Sequence, residues 1–476
     1  MGPWALAGGG GAGTERRMPR VLFFMNSSSP LGGVETWLDR IRANLSKNGF
    51  EPIVGLVRGL RYNLPDRYRA HHPELETFEI DGRGLNREGR VRALMRCIRA
   101  LRPDVALPMG IVEANEAVIR CKQRGQAVRL VAHAQGNLPP MLADLRLYRD
   151  WFDRVVCPGR LTRRFLVEFA GFAPERVVHI ANGADTPLAD RLPRRPGAPL
   201  RLGYIGRLSQ PDKRVLDLIP LCRELERLGV DFELHVVGCG ACRGELEEGL
   251  ENWGNRVRLH GALPHEEIYR RIFPNLDALI LTSASEAFGI VLVEAMMHGV
   301  VPVTSRYYGF HSEGLVKDGE TGLSFEVGDM EAAALAVQRL ERGSALLQEL
   351  SAHAQEHGRL YTWQRSLDAW QAELADLSKE PVVQASTLPI APVANPRGRL
   401  ERLGVPDGLI DGLRRLRRAT LGAAVPPGGE EWPLFHRGHS ADTVADIQSA
   451  LLTLESSTEN EFMAREGKSN FMTAGQ

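Results

Sequence analysis

The chain has 476 residues, 43% of them hydrophobic and 25% charged, the balance of an ordinary globular protein. Its 59 Lys and Arg match 59 Asp and Glu, and a net charge of zero argues against a nucleic-acid binder. No run of eighteen apolar residues is present to span a membrane. The six cysteines, Cys97, Cys121, Cys157, Cys222, Cys239 and Cys242, are too sparse for a disulfide framework. The expected setting is therefore reducing and cytoplasmic.

In chain order, residues 1–18 (MGPWALAGGGGAGTERRM) hold too short an apolar segment for a secretory signal. They read as a disordered leader, or as an over-extended start with the true beginning at Met18. Six strands are expected next, at 21–25 (VLFFM), 52–57 (PIVGLV), 105–109 (VALPM), 129–133 (RLVAH), 154–158 (RVVCP) and 177–182 (VVHIAN). Helical patterns separate them. In the first, Val34, Trp37, Leu38, Ile41 and Leu45 share one face at the 3.6-residue period. Gly32 and Gly33 lie between the first strand and that helix, where the absence of Cβ lets backbone N–H groups approach a ligand oxygen. Read alone, an ordinary tight turn serves as well, and the pattern is not the dinucleotide-binding fingerprint. His133 ends its strand and would point beyond the sheet, within reach of a sugar hydroxyl. The commoner role of such a residue is a partly buried polar group.

Residues 191–199 (RLPRRPGAP) have no periodicity and read as a hinge. A second strand series follows at 200–206, 232–238, 256–262, 278–283 and 301–305. Strands alternating with helices imply parallel sheets. The expectation is an α/β chain of two doubly wound, Rossmann-like domains, 19–192 and 193–360, facing a central cleft. Ligands of such sheets lie beyond the carboxyl ends of the strands. A helix at 361–379 would follow, then a Pro-rich linker at 380–398 and a partly disordered helical extension at 399–476. In that extension 399–418 has a basic face, suited to solvent or to the surface of an anionic membrane. A second weak helix sets Val444, Ile447, Leu451 and Leu454 on one side, and the last twenty residues are polar.

Two loops carry chemistry. In ALILTSASEAFGIVLVEAMMHG (278–299), Glu286 stands on the loop after a strand and Glu294 about one turn inside a helix that starts near Ile290. Free N–H groups at a helix start favour an anion. A carboxylate on either side can accept from the hydroxyls of a polyol, at about 1.5–3 kcal/mol per charge-assisted bond. A nucleotide sugar has that order: sugar, diphosphate, ribose. Two glutamates eight apart are also compatible with a helix-surface residue and a cap. In GYIGRLSQPDKRV (203–215), Arg207 and Lys213 follow a strand end, and no Asp-x-Asp pair is present to carry a divalent metal. Side chains would then supply the charge, Arg as a fork and Lys as a point charge. A solvated basic loop is the alternative. Cys239 and Cys242 form a single Cys-x-x-Cys with no second pair, which carries neither a zinc site nor a redox context.

From Pro19 to Leu377 the chain resembles the family 4 retaining glycosyltransferases of GT-B fold. GGVE (32–35) is similar to the glycine loop and VAH (131–133) to the strand-end histidine. IANGAD (180–185) resembles the Asn-Gly turn, GRLSQPDK (206–213) the phosphate loop, and EAFGIVLVE (286–294) the paired glutamates. EAMMHGVVPV and VKDGETGL (316–323) follow, and YTWQRSLDAWQAEL (361–374) resembles the helix that crosses back to the first domain. The departures are Ala287, Ala181, Ala184 and one extra residue in the phosphate loop. Ala287 would be strained if its position needs a positive φ.

The resemblance implies a transfer with retained configuration from a nucleotide sugar, UDP- or GDP-linked, without cofactor or metal. Glu286 and His133 would act at the donor sugar. Arg207 and Lys213 would neutralise the diphosphate, and Glu294 would hold the ribose. Backbone N–H groups near Gly33, Phe288, Gly289 and Ile290 would complete the cradle. The acceptor would be a saccharide or lipid-linked intermediate of bacterial polysaccharide or glycolipid synthesis, met at the inner face of the membrane. The rival readings are a nucleotide-sugar epimerase of the same fold and a non-catalytic binding relative. Both glutamates and both cations being present argues against the latter.

Overall fold

The computed structural model describes residues 17–26, 33–60, 63–195, 197–210, 212–392 and 432–473, with scattered positions between 400 and 420. Most of the leader, Gly32 of the glycine turn, and much of the basic helix expected at 399–418 lie outside the described residues.

Two parallel sheets form the frame. The first contains β1 (Arg20–Met25), β2 (Glu51–Arg58), β3 (Thr77–Asp81), β4 (Val105–Leu107), β5 (Arg129–His133), β6 (Arg154–Cys157) and β7 (Val177–His179). Its order is β3-β2-β1-β4-β5-β6-β7. The second contains β8 (Leu200–Ile205), β9 (Phe232–Val237), β10 (Val257–Gly261), β11 (Ala278–Leu281), β12 (Val301–Ser305) and β13 (Leu323–Phe325), in the order β10-β9-β8-β11-β12-β13. Both reverse direction beside their first strand, the place where doubly wound sheets bind ligands. β3 and β13 carried no expectation from sequence. Both are edge strands, and β3 exposes Glu79 to pair with Arg58.

The apolar runs of the strands are buried on both faces, as parallel sheets require. Under the first sheet, Val21, Phe23 and Val131 pack with Trp37, Leu38 and Ile41 of helix Gly33–Lys47. Trp363, Trp370 and Leu374 join them from helix Trp363–Leu377, which returns from the second domain as expected. The Asn-Gly turn meets the start of this helix, with Ala184 N–H donating to Tyr361 O at 3.0 Å and Trp363 N–H to Ala184 O at 3.3 Å.

The segment expected as a linker is instead docked on the first domain as far as Leu388. Val383 N–H donates to Asp153 Oδ1 at 2.7 Å and Trp151 Nε1–H to Thr387 O at 2.9 Å. The chain returns at Trp432, which is 2% exposed, donates from Nε1 to Arg58 O at 3.1 Å and lies against Gly82. His436 N–H and His439 Nε2 then both meet the buried Asp144, at 2.8 Å each. The following helix runs from Ala441 to Thr473, well past the span expected from sequence. Ile447, Leu451 and Leu454 bury into the first domain's core as the periodicity required, while Val444 is half-buried. One turn of this helix touches both domains. Arg164 Nη1 donates to Leu454 O at 3.1 Å, and Glu455 accepts from His311 N–H at 2.6 Å and Ser312 Oγ–H at 2.6 Å.

No helix among the described residues is long and apolar enough to cross a membrane.

Candidate functional site

The carboxyl edge of the second sheet carries two loops side by side. The first follows β8 and holds Arg207 and Lys213. The second follows β11 and holds Ser283 and Glu286, before helix Ile290–Met297. Glu286 is 9% exposed. Its Oε1 accepts from Lys213 Nζ at 2.6 Å and from Ser283 Oγ at 2.6 Å. The two loops are stitched by Thr282 Oγ1 donating to Lys213 O at 3.0 Å and Ala284 N–H to Asp212 O at 2.8 Å. A buried carboxylate needs such pairing, because its charge is poorly solvated.

The turn into the helix depends on Gly289, whose φ of 88° is the left-handed region that costs a glycine nothing. Positive φ outside glycine is confined, among the described residues, to Arg102 and Arg214, so Ala287 carries no such strain. No backbone carbonyl among the described residues takes the N–H groups of Phe288, Gly289 and Ile290. These unpaired donors at a helix start form an anion-binding end. Gly33 faces the same helix across the cleft, since a Cβ placed on it would lie 3.5 Å from Ile290 Cδ1. The Phe288 side chain is buried, edge-on to Tyr361 at 5.7 Å, so only its backbone is left to meet a ligand.

Arg207 stands at the rim, 65% exposed, 2.5 Å from Asp212 Oδ2. Across the cleft its charge faces Glu35, which the sequence reading did not single out. Glu35 is buried, and desolvation pushes its carboxyl up to about 7 against the opposing pull of His72 and Arg207. Glu294 lies in the helix as expected, with Oε1 2.9 Å from His265 Nε2 and 3.3 Å from the Tyr269 hydroxyl that donates to it.

His133 ends β5 as expected, and its ring is packed between two tryptophans, Trp37 at 4.3 Å and Trp370 at 5.0 Å. Nδ1 is 2.6 Å from Gln135 Nε2, and Nε2 is buried with no hydrogen-bond partner among the described residues. Burial drives its pKa down to about 3, so the ring is neutral. Residue alternation explains the placement: His133 shares a strand face with Val131, which packs on the Trp37 side of the sheet.

The domains meet beside Glu286. Asn137 Nδ2 donates to Glu286 O at 2.7 Å, and Asn137 Oδ1 in turn accepts from the Thr162 hydroxyl. A Cβ on Gly159 would fall 2.0 Å from Ala287 O, so only glycine allows this approach. Glu313 of the second domain is buried and accepts from Leu161 N–H at 3.2 Å, capping a helix of the first. Burial nevertheless raises its carboxyl to about 8. Asn137 and Glu313 were not legible as site residues, because each acts through a backbone group distant in sequence, whereas Ser283 lies only three residues before its partner Glu286. Among the described residues, no cluster of three His, Cys, Asp or Glu side chains could hold a metal ion.

Two family models match the chain: "Glycosyltransferase Family 4" over residues 31–187 and "Glycosyl transferases group 1" over 191–357. A phosphatidyl-myo-inositol mannosyltransferase of Mycobacterium leprae is 30% identical over 233 residues, 45% of this chain and 58% of that protein. A D-inositol 3-phosphate glycosyltransferase of Corynebacterium diphtheriae is 28% identical over 44% of this chain and 53% of its own length. The chain thus spans about half the length of the curated relatives it matches. Among solved structures, Anabaena HepE in complex with UDP-glucose superposes with a TM-score of 0.61 at 20% identity, covering 75% of this chain and 99% of that one. A sucrose-phosphate synthase of Thermosynechococcus elongatus gives 0.62 at 18% identity, with 75% and 99% covered. These structures share the fold, two Rossmann-like domains about a cleft.

Proposed function

The chain belongs to the GT4-type glycosyltransferases, and on that premise we propose that it moves a sugar, with retained configuration, from a UDP- or GDP-linked donor to an acceptor hydroxyl. The observation that carries this reading is the Lys213–Glu286 pair at 2.6 Å, made by two separate loops on the edge of the second sheet and set below a helix with free N–H groups. In the reaction the acceptor oxygen bonds to the anomeric carbon, the bond to the diphosphate oxygen breaks, and the acceptor proton passes to that departing oxygen. The main task of the protein is to stabilise the developing diphosphate charge, the kind of preorganised electrostatic term that dominates many enzymes. Lys213, Arg207 and the N–H groups of Phe288, Gly289 and Ile290 suit it, and no metal ion is required. Glu286 would accept from sugar hydroxyls and Glu294 from the ribose. His133 contributes to the donor wall through the ring pair that holds it. Closure of the domains over the cleft would keep water from the reacting carbon.

The acceptor is read as a saccharide or a lipid-linked intermediate of polysaccharide or glycolipid synthesis, met at the inner face of the membrane. Thermal-shift titration with UDP, GDP, ADP and TDP tests the nucleotide reading, since a bound nucleotide raises the melting temperature. Lys213→Met should weaken the stabilising nucleotide by tenfold to a hundredfold, about 1.5–3 kcal/mol for one charge-assisted contact. Unchanged affinity in that variant refutes the phosphate assignment.

A further inference from the structure

Glu294 is not left to find its ligand alone. Its Oε1 is held at 2.9 Å by His265 Nε2 and at 3.3 Å by the Tyr269 hydroxyl. The two residues are four apart, with rings 4.2 Å from each other. Tyr269 is fully buried and lies in a π-helical stretch, Ile268–Ile272, a distortion often found at functional sites. Its hydroxyl also accepts from Asp185 N–H at 3.3 Å, and its ring meets His298 edge-on at 4.6 Å. His298 Nδ1 lies 2.7 Å from Glu294 O, one turn back along the same helix. Behind His265 the contacts continue. Its Nδ1 is 3.9 Å from Asp185 Oδ2, and Asp185 is paired with Arg40, on the first domain's helix Gly33–Lys47. One carboxylate oxygen of Glu294 is therefore committed to a built polar cluster. Among the described residues Oε2 has no protein partner, and the side chain is 12% exposed.

We propose that His265 and Tyr269 are positioning residues that fix the Glu294 carboxylate so that Oε2 selects the vicinal hydroxyls of the donor's ribose. The proposal rests on the reading of Glu294 given above and adds what makes it selective. A carboxylate free to rotate accepts a hydroxyl in many poses and discriminates weakly. One clamped at a single oxygen presents the other in a fixed direction, and a ligand lacking the hydroxyl leaves it unpaired, which is how a polar site rejects an analogue. The Arg40–Asp185 pair of the first domain lies behind this clamp, with Asp185 Oδ2 3.9 Å from His265 Nδ1.

The test titrates UDP and GDP, each beside its 2′,3′-dideoxy analogue, into the full chain. The wild type should prefer at least one ribonucleotide by about tenfold to a hundredfold, the range of one charge-assisted hydrogen bond. His265→Ala should bring that preference within about threefold while leaving the dideoxy affinity unchanged, and His265→Gln, which restores a donor, should recover most of it. Tyr269→Phe, which keeps the buried ring, should give a partial loss. Retention of the full preference in both His265→Ala and Tyr269→Phe overturns the positioning role. The Glu294 reading survives that result if Glu294→Gln alone abolishes the preference. A wild type without any ribose preference refutes Glu294 as the ribose contact and the clamp with it.

Discussion

Replacing Glu455 with alanine should loosen the seam between the two domains while leaving each domain folded. The carboxylate is 9% exposed and accepts two short bonds, from His311 N–H and Ser312 Oγ–H at 2.6 Å, with Ser312 N–H at 3.3 Å. Bonds to a charged acceptor contribute about 1.5–3 kcal/mol each, and the freed donors at this partly open helix end regain some water. A net loss of about 2–4 kcal/mol for the local opening is therefore expected. By the tenfold per 1.4 kcal/mol relation, the His311 and Ser312 amides should exchange with deuterium some thirtyfold to several-hundredfold faster. The effect should spread to Leu161, whose N–H is capped by Glu313 on the same short helix. Glu459→Ala is the control, since Glu459 stands 3.6 Å from His311 Nε2 and is about half exposed. Unchanged exchange at His311, Ser312 and Leu161 in Glu455→Ala would show that the C-terminal helix merely rests on the second domain.

The buried Glu35 gives a pH dependence with a definite sign. Its carboxyl is raised from 4.5 to about 7, so between those values the folded chain holds a proton that the unfolded chain releases. Stability from this group is present below pH 4.5 and is lost as the pH rises to about 7, by roughly 3 kcal/mol in all. Glu35→Gln should remove this share of the decline in urea unfolding between pH 5 and pH 8, and an unaltered pH profile contradicts it. Gly159→Ala puts a methyl 2.0 Å from Ala287 O and 2.9 Å from Glu313 Oε1, and should cost about 1–3 kcal/mol or part the domains there, visible as an increased radius of gyration in solution scattering. A variant as compact and as stable as the wild type would refute the close approach. Glu286→Gln, which frees Lys213 from its carboxylate partner, should bind UDP or GDP several-fold tighter yet slow transfer, and weaker binding would count against the shared use of Lys213.

Much of the frame was legible because the signals were local and repeated. Eleven runs expected as strands contain or overlap strands of the structure, and the apolar stripe from Val34 to Leu45 gave the first helix. The placement of Arg207, Lys213, Glu286 and Glu294 was legible for a different reason: each comes after a strand at its carboxyl end, and all parallel strands end on one edge. β3 and β13 escaped because short edge strands need only half a hydrophobic pattern. His133 was placed on the right strand, yet the direction of its ring depends on Trp37 and Trp370, and Trp370 is 237 positions further on. The extension misled for a similar reason. A Pro-rich stretch reads as a spacer when nothing in it names a partner, but Asp153 and Trp151 hold it in place.

The charged groups of the site share a condition that bears on how it would work. Lys213 is held by Glu286, Arg207 by Asp212, and Glu294 by His265. Each cation already has an anion, and each acid a donor, so a diphosphate entering the cleft would exchange partners instead of meeting bare charge. That lowers the gain in affinity, because the Lys213–Glu286 attraction must be weakened before phosphate can take its place. It also keeps the side chains in position, so little reorganisation is left for the moment when the anomeric bond breaks. On the proposed function, the carboxylate released from Lys213 would then be free to accept a sugar hydroxyl, placing a negative charge beside a carbon that becomes positive. In this arrangement the pairing that stabilises the empty cleft is the same pairing whose exchange would set Glu286 to work, so tight nucleotide binding and fast transfer should not be maximised by the same substitution.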